Sequence, residues 1–429
     1  MPPIPRTLAP TPPMGWNSWD CFGTSVTEDE VMANARFMAE HLLPHGWDTV
    51  VIDIQWYEPT ARAGGYNADA PIVLDAWGRP MPAENRFPSS ANGAGFAPLA
   101  HRIHQLGLRF GLHLMRGIPR RAVEADLPIF GTDFHASDIA DPDSTCDWNS
   151  DNFGIDHARP GAQAYYDSIA ALFSEWGLDY VKVDDMVGPF HSEEIEAFSR
   201  AIAGAGRDIV LSLSPGQMLS TVHGPQLREH SDLWRISADL WDEWPDILGQ
   251  FDRLALWAPF AGDGRWPDAD MLPLGRIGIR AERGPERQSR LTEDEARTMM
   301  TLWMMARSPL MFGGDLPQTE KETMSLLTND AALGVLRSST NNREVLHHDG
   351  LVAWTADATD RPARYAAIFA IGETPIDVDL PLTSLGVAGP ATVTELWTGH
   401  SEGPIARLRH QLVPHSCLLL AIETSGDLR

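Results

Sequence analysis

The chain has 429 residues, enough for one large domain and a smaller one, and 43% of them are hydrophobic, which supports a well-buried core. It carries 33 Lys and Arg against 59 Asp and Glu, giving a formal net charge of −26, so nucleic acid and anionic membranes are not expected as partners because they would repel it. Its three cysteines, Cys21, Cys146 and Cys417, are far apart and show no CxxC or paired Cys/His spacing, which argues against a disulfide framework or a zinc site.

The N-terminal stretch up to Pro13 is rich in proline and contains no apolar run that could form a signal-peptide core. No later apolar segment reaches the length that spans a membrane. The sequence as it stands therefore predicts a soluble cytoplasmic protein, although a leader trimmed from the chain would leave no trace in it. It allows a homo-oligomer without specifying one.

From about residue 13 to 325, short apolar runs alternate with longer stretches of helical periodicity, which is typical of βα units and a parallel sheet. We predict strands at 14–19, 49–55, 109–115, 179–184, 209–214, 234–237, 269–272 and 309–313. We predict helices at 28–41, 96–106, 162–176 and 193–203, the first with a capping pattern from Thr27 to Glu30. Eight strands indicate a closed barrel.

Two further stretches complete the predicted organisation. Residues 58–94 are too long for an ordinary βα loop and are expected to overhang the active face. After about Thr328 the pattern changes to short alternating strands, at 351–355, 365–371, 392–396 and 417–422, with no convincing helix. The sequence thus predicts a (β/α)8 barrel over residues 1–327 and a C-terminal antiparallel β-sandwich domain over residues 328–429.

Several predicted strands end in a carboxylate, and in a (β/α)8 barrel these ends surround the active site. Asp53 follows the second strand, and Lys182 and Asp184 share one face of the fourth because side chains alternate along a strand. A nearby lysine would keep Asp184 ionised, as a glycosyl nucleophile must be. The competing interpretation is a buried ion pair that fixes strand register.

Asp239 is the natural second carboxylate, since it follows the sixth strand and lies close in sequence to Trp241 and Trp244. Aromatic surroundings would desolvate its carboxyl and raise its pKa, as a general acid requires. Alternatively, Asp239 caps the next helix. The acids of residues 264–272 add to a set that could hold sugar hydroxyls, while tryptophan rings cover the apolar face of a sugar.

A metal-dependent hydrolase is the other enzyme class that the sequence raises. His101, His104 and His113 lie near the third strand, but the first two fall within the preceding predicted helix. We therefore expect exposed helix histidines and no bound metal.

Several of these segments together resemble glycoside hydrolase family 27, the family of the α-galactosidases and α-N-acetylgalactosaminidases. The matching positions, in family order, are residues 11–19, Asp53, Trp176, Gly177, Asp179, Tyr180, Lys182, Asp184, Arg235, Asp239, Trp266, Asp268, Asp270, Met271, Leu272, Ser308, Pro309, Leu310, Met311, Gly313, Asp315 and Leu316.

The resemblance implies a TIM barrel with a C-terminal β-sandwich and a retaining double displacement without a cofactor. Asp184 would be the nucleophile and Asp239 the acid/base residue. Trp19 looks like the sugar-stacking tryptophan of the family. The remaining polar contacts to a carbohydrate substrate would come from Asp53, Lys182, Arg235 and Asp270.

The departures from the family concern the specificity pocket. Galactose-specific relatives carry two adjacent acids after the second strand, whereas here Ile54 follows Asp53 and cannot accept a hydroxyl hydrogen bond. The remaining positions at which we expect the pocket to differ, or the substrate to make contact, are Trp56, His113, Arg116 and Ser214.

The resemblance favours an exo-acting α-galactosidase-like hydrolase that cleaves terminal α-linked sugars. A β-L-arabinopyranosidase is the close alternative, because that sugar has the galactose ring geometry without the 6-hydroxymethyl group. An α-glucan exo-hydrolase that acts like an isomalto-dextranase is a third possibility within the same chemistry. A non-catalytic sugar-binding barrel is the alternative outside enzymes.

Overall fold

Eight parallel strands, each followed by a helix, form the first part of the chain. The computed structural model describes residues 7–424. The first six residues belong to the proline-rich stretch on which the expectation about a signal peptide rests, and they lie outside the described residues. The strands are β1 (Met14–Asn17), β2 (Thr49–Ile52), β3 (Arg109–Met115), β4 (Tyr180–Asp184), β5 (Val210–Leu213), β6 (Leu233–Arg235), β7 (Trp266–Asp268) and β8 (Leu310–Phe312).

These strands form one sheet in the order β7-β6-β5-β4-β3-β2-β1-β8. The sheet closes where the backbone of Leu272 bridges Phe312 in parallel. Across this seam the Leu272 N–H donates to the Met311 carbonyl at 2.7 Å. The seventh strand was predicted at 269–272, but it lies earlier because Asp270 has a φ of 88°, which interrupts the extended backbone. The closed barrel is confirmed.

The main helices that cover the barrel each follow one strand. They are α1 (Glu28–His41), α2 (Ala97–Gln105), α3 (Ala162–Trp176), α4 (Ser192–Gly204), α5 (Gly224–His230), α6 (Trp244–Trp257), α7 (Glu293–Ala306) and α8 (Asp330–Arg337). The predicted capping box of α1 is present, with the Thr27 N–H donating to Glu30 Oε2 at 2.9 Å. No helix was expected after about Thr328, but Asn329 caps α8 by accepting from the Ala332 N–H at 3.0 Å.

The C-terminal part of the chain is antiparallel. Its strands are β9 (Ser339–His348), β10 (Leu351–Ala358), β11 (Arg364–Ala370), β12 (Ile376–Pro381), β13 (Ala391–Glu395), β14 (Ser401–Ile405), β15 (Arg407–Leu412) and β16 (Cys417–Thr424). Six of them form a sheet in the order β9-β10-β11-β16-β13-β14, and β12 pairs with β15 in a second layer. The four predicted strands correspond to β10, β11, β13 and β16. The other four were missed because they are short or carry mostly polar, exposed residues.

Alternate residues of the six-stranded sheet face different cores. On β10, Val352 and Trp354 join the hydrophobic core of the barrel, whereas Ala353 packs between the two C-terminal layers. On the barrel side, Phe251 of α6 meets Phe369 edge to face with ring centroids 5.1 Å apart. No helix among residues 7–424 is long and apolar enough to cross a membrane.

Candidate active site

The carboxyl ends of the barrel strands converge on one pocket with an empty volume of about 300 Å³. Of the residues singled out from the sequence, Trp19, Asp53, Lys182, Asp184, Arg235, Asp239 and Asp270 line this pocket. Asp20, Tyr66, Leu240 and Met271 complete the lining. The structure therefore brings both proposed catalytic carboxylates and their expected polar neighbours together.

Asp184 is the last residue of β4, and donors hold both of its carboxylate oxygens. His113 on the neighbouring strand β3 places Nε2 3.0 Å from Asp184 Oδ2, and the Asp185 N–H donates to Oδ1 at 3.0 Å. Because an ionised carboxylate can only accept, His113 must carry the proton on Nε2. Burial alone would raise the pKa of Asp184, but the His113 hydrogen bond and the Lys182 charge outweigh it and hold the pKa well below its ordinary value.

Lys182 makes its direct ion pair with Asp53, at 3.0 Å, and not with Asp184. The Asn17 amide also donates to Asp53 Oδ2 at 2.8 Å, and the Ile54 N–H donates to Oδ1 at 2.8 Å. Burial would raise the pKa of Asp53, but Lys182 and His113 lower it below its ordinary value. Lys182 therefore favours an ionised Asp184 as expected, through its charge and not through a contact.

Asp239 lies in a more open setting. Its side chain is 33% exposed, and Arg235 Nη2 is 3.2 Å from Asp239 Oδ1. Of the two tryptophans expected to desolvate this carboxyl, Trp244 instead stacks on His415 of the C-terminal part, with centroids 4.0 Å apart. Asp239 does not cap α6 either, since the cap residue of that helix is Glu243.

Asp270 shares Arg235 with Asp239. Arg235 Nη1 lies 2.7 Å from Asp270 Oδ1, and the Leu240 N–H donates to Oδ2 at 2.7 Å. Burial raises the pKa of Asp270 and Arg235 opposes it, while the negative charges of Asp239 and Asp268 raise it further. Asp270 thus fixes both the arginine and the backbone that follows Asp239.

Five predicted contact residues lie behind the pocket and do not line it. Trp56 is fully buried and donates from Nε1 to the His113 carbonyl at 2.7 Å, because Gln55 has a left-handed φ of 63° that turns the chain after β2. His113 is also fully buried and holds Asp184. Ser214, directly after β5, is 1% exposed.

Arg116 is the fourth of these residues. It is 3% exposed, and it binds Asp185 Oδ2 through Nη2 at 2.7 Å and Glu194 Oε1 through Nη1 at 3.2 Å. Both acids are buried as well, so the guanidinium is committed to an ionic cluster beneath the site. Arg116 therefore supports the backbone after Asp184 and does not line the pocket.

Ile54 is 2% exposed and packs in the same hydrophobic cluster as Trp19 and Met271, two residues of the pocket wall. It therefore backs the pocket beside Asp53. An acid at this position would be buried among apolar side chains unless a substrate hydroxyl paired with it.

Asp20 and Tyr66 line the pocket but were not predicted from the sequence. Asp20 directly follows Trp19, the last residue of the matched stretch 11–19 and the expected sugar-stacking tryptophan, so this adjacency was the available signal. It is 2% exposed, and its Oδ2 has no hydrogen-bond partner among residues 7–424. Burial, followed by the charges of Asp270 and Asp239, raises the pKa of Asp20 well above its ordinary value. Tyr66 belongs to the 58–94 insertion, which no periodicity could place.

The histidines that raised the question of a metal make separate contacts. His104 Nε2 lies 2.8 Å from Asp179 Oδ2, His101 contacts Gln105 at 3.0 Å, and His113 contacts Asp184. They do not converge on one point. Within the described ranges, no group of three or more His, Cys, Asp or Glu side chains is arranged to hold a metal ion.

Comparisons with known proteins agree with this arrangement. The family model described as Alpha galactosidase A (Melibiase_2) matches residues 154–338. A crystal structure of a variant family 27 β-L-arabinopyranosidase from Geobacillus stearothermophilus, in complex with arabinose, is 47% identical in sequence. It superposes with a TM-score of 0.95, covering 98% of this chain and 98% of that one.

Two other relatives carry different names. A structure from Bacillus halodurans, proposed as an α-N-acetylgalactosaminidase, is 43% identical with a TM-score of 0.89 and covers 98% of this chain and 99% of that one. An α-galactosidase from Oryza sativa subsp. japonica is 24% identical over 97% of this chain and 85% of its own length. With two relatives above 40% identity along nearly the whole chain, and with the pocket of carboxylates at the strand ends, the protein belongs to glycoside hydrolase family 27.

Proposed function

We propose that this glycoside hydrolase is a β-L-arabinopyranosidase. The observation that carries the proposal is Ile54, which backs the pocket beside Asp53 where galactose-specific relatives place a second acid. An isoleucine cannot accept a hydrogen bond from a 6-hydroxyl group, and its branched side chain is packed against the pocket wall. A pyranose that lacks the hydroxymethyl group needs neither the acceptor nor the space.

The residues expected to contact the rest of the sugar, apart from the hydroxymethyl group, are all present at the pocket. Asp53, Lys182, Arg235 and Asp270 remain as polar groups at the pocket, and the Trp19 ring can cover one face of a sugar. Because α-D-galactopyranose and β-L-arabinopyranose share their ring geometry, these residues suit both sugars. The 47% identity to the Geobacillus β-L-arabinopyranosidase supports the pentose. We expect weaker α-galactosidase activity alongside it.

The proposed reaction is a double displacement. The Asp184 carboxylate attacks the anomeric carbon and forms an ester while the bond to the leaving oxygen breaks, and Asp239 donates its proton to that oxygen. In the second step Asp239 takes a proton from water, the water oxygen bonds to the anomeric carbon, and the ester to Asp184 breaks. The sugar leaves with its original anomeric configuration.

A panel of 4-nitrophenyl glycosides tests the proposal. The wild type should hydrolyse the β-L-arabinopyranoside with a kcat/KM at least about tenfold above that of the α-D-galactopyranoside. Preference for the galactoside or the α-N-acetylgalactosaminide would contradict the proposal, and release of glucose from dextran as the main activity would favour an α-glucan hydrolase.

Two variants at one position sharpen the panel. Ile54→Asp should lower the arabinoside-to-galactoside ratio of kcat/KM, because a carboxylate beside Asp53 can accept from the 6-hydroxyl group. Ile54→Val is the matched control, since it keeps the position apolar and should leave the preference for the pentose in place. Equal ratios in the wild type and Ile54→Asp would show that Ile54 does not select the sugar.

A further inference from the structure

The two cationic side chains that line the pocket are paired with acids other than Asp20. Lys182 pairs with Asp53 at 3.0 Å, and Arg235 is shared by two further aspartates. Asp20 lines the same pocket, but in the part of the chain from residue 7 to 424 it has no cationic partner. A buried carboxylate without a partner is costly, so Asp20 is the acid of this pocket that is best placed to keep its proton.

The Asp20 carboxyl occupies a closed position beside the end of β8. The residue is 2% exposed, and Oδ2 is buried without a hydrogen-bond partner among the described residues. This oxygen lies against Gly313, the residue that follows β8, and a Cβ added there would overlap it. A glycine therefore leaves the space that the carboxyl fills. Because an ionised oxygen needs a donor in such a position, the geometry favours the protonated acid.

The backbone around Asp20 is held on both sides. The Asp20 carbonyl accepts from the Gly278 N–H at 2.8 Å, and the carbonyl of the next residue accepts from the Arg280 N–H at 3.0 Å. Two residues before Asp20, Ser18 Oγ accepts from the Asp53 N–H at 3.0 Å. These bonds tie Asp20 to the end of β2 and to the segment after β7, so its side chain is held at the pocket.

The charged groups around Asp20 also favour a proton on it. Burial is the largest cause of its raised pKa, followed by the negative charges of Asp270 and Asp239. Lys182 opposes them and Asp53 adds to them. These groups come from β4 and from the segments after β2, β6 and β7. A protonated carboxyl differs from a carboxylate in that it can donate a hydrogen bond.

We propose that Asp20 binds the glycosyl group as a neutral carboxylic acid and donates a hydrogen bond to one of its hydroxyl groups. Carboxylate acceptors are plentiful in the pocket, whereas the cations of Lys182 and Arg235 already donate to aspartates. A carboxyl O–H would supply a donor to a hydroxyl oxygen. The inference deepens the proposed function, since it rests on this pocket binding a sugar, but it does not depend on which sugar is bound.

The first test compares two substitutions of similar size. The inhibition constant of the free sugar is measured for whichever sugar the wild type releases fastest. Asp20→Leu removes the donor and should raise this constant about threefold to tenfold, the effect of one hydrogen bond between neutral groups. Asp20→Asn keeps an uncharged donor and should recover most of the lost affinity. A constant within about twofold of the wild type in Asp20→Leu, or no recovery in Asp20→Asn, would overturn the proposal.

Monodeoxy analogues of the same sugar test for contact with a hydroxyl group. For each analogue the inhibition constant in Asp20→Leu is divided by that in the wild type. This ratio should fall to about one for a single analogue and stay at about threefold to tenfold for the others, because the interaction disappears when either partner is removed. The same ratio for every analogue would show that Asp20 touches no hydroxyl group, and the proposal would fail.

Infrared difference spectroscopy tests the proton itself. With the sugar bound at neutral pH, the spectrum of the wild type minus that of Asp20→Asn should contain the C=O stretching band of a protonated carboxylic acid. Carboxylate bands in its place would show that Asp20 is ionised and would contradict the proposal. This measurement does not depend on whether Asp20→Leu folds.

Asp232→Asn is the control for a general loss of stability. Asp232 is 7% exposed, lies just before β6 at the opposite end of the barrel and pairs with Arg265 at 2.6 Å. The substitution should lower the Tm and leave the inhibition constant unchanged. A rise as large as that in Asp20→Leu would attribute both results to a loosened barrel and overturn the assignment of Asp20. Because the sugar is chosen by activity, failure of the arabinopyranosidase assignment leaves these tests intact.

Discussion

Asp184 and Asp239 line the same pocket but occupy contrasting environments. The Asp184 side chain is 11% exposed and receives hydrogen bonds on both oxygens, one from the His113 imidazole and one from the Asp185 backbone N–H. The Asp239 side chain is 33% exposed and pairs with Arg235. A nucleophile must be ionised whenever it attacks, whereas an acid/base residue must both lose and regain a proton in each turnover. The difference in enclosure fits the roles proposed for Asp184 and Asp239.

The two environments also have sources that were only partly expected. Lys182 acts on Asp184 through its charge, as expected, but the direct contact comes from a histidine on the adjacent strand. At Asp239, where tryptophans were expected, solvent reaches a third of the side chain. Substitutions in and around the pocket test this contrast.

The largest effect is expected for Asp184→Ala. Without the nucleophile no glycosyl ester can form, so kcat should fall by about 10⁴-fold or more. The measurement is steady-state hydrolysis of the preferred 4-nitrophenyl glycoside, with a thermal melt to confirm that the variant folds. Activity within tenfold of the wild type would refute the assignment of Asp184.

Asp239→Asn should lower the rate of hydrolysis less than Asp184→Ala does, and the size of the loss should depend on the leaving group. Loss of general acid/base catalysis lowers the rate by about 10²- to 10⁴-fold when the leaving oxygen needs a proton. A 2,4-dinitrophenyl glycoside needs little protonation, so the first step should be largely spared. A uniform loss across leaving groups would show that Asp239 is not the acid.

His113→Phe should give an intermediate loss and a changed pH profile. Removing a charge-assisted hydrogen bond, a contribution of about 1.5–3 kcal/mol, should lower kcat/KM by roughly 10- to 100-fold. Because the His113 hydrogen bond lowers the pKa of Asp184, its removal should move the acid limb of the kcat/KM profile to higher pH. His113→Gln, which retains an N–H donor, is the matched control. An unshifted limb in His113→Phe would assign His113 a purely structural role.

The smallest effect is expected on stability, for Asp20→Asn. A carboxyl whose pKa is raised in the folded state binds its proton more tightly there than in the unfolded chain, so its contribution to the free energy of unfolding falls as pH rises above about 3.9. At pH 8 the neutral variant should melt about 1 °C above the wild type, which corresponds to ~1 kcal/mol for a chain of this length. The difference should vanish near pH 4. A lower Tm for the variant at pH 8 would contradict this expectation.

The sequence was sufficient to predict the barrel, the C-terminal sheets and the residues at strand ends. Apolar runs and the alternation of side chains specify those features, which is why Asp53, Asp184 and Arg235 lie where expected. It was not sufficient where the backbone leaves the strand. The left-handed φ of Gln55 sends Trp56 into the core, and Arg116 is captured by acids distant in sequence. Tyr66 reaches the pocket because the Gln55 side chain holds the backbone of the next residue, a contact that has no local sequence signature.

The shared core between the barrel and the six-stranded sheet limits how this enzyme can be divided. Val352, Trp354 and Phe369 contribute to the same hydrophobic cluster as the barrel helices, and His415 binds Glu295 of α7 at 2.8 Å. A truncation after α8 would leave a broad apolar surface in water, which favours aggregation. The catalytic barrel is therefore not a transferable module. Fusions, circular permutations or minimal versions should keep the C-terminal sheets with it.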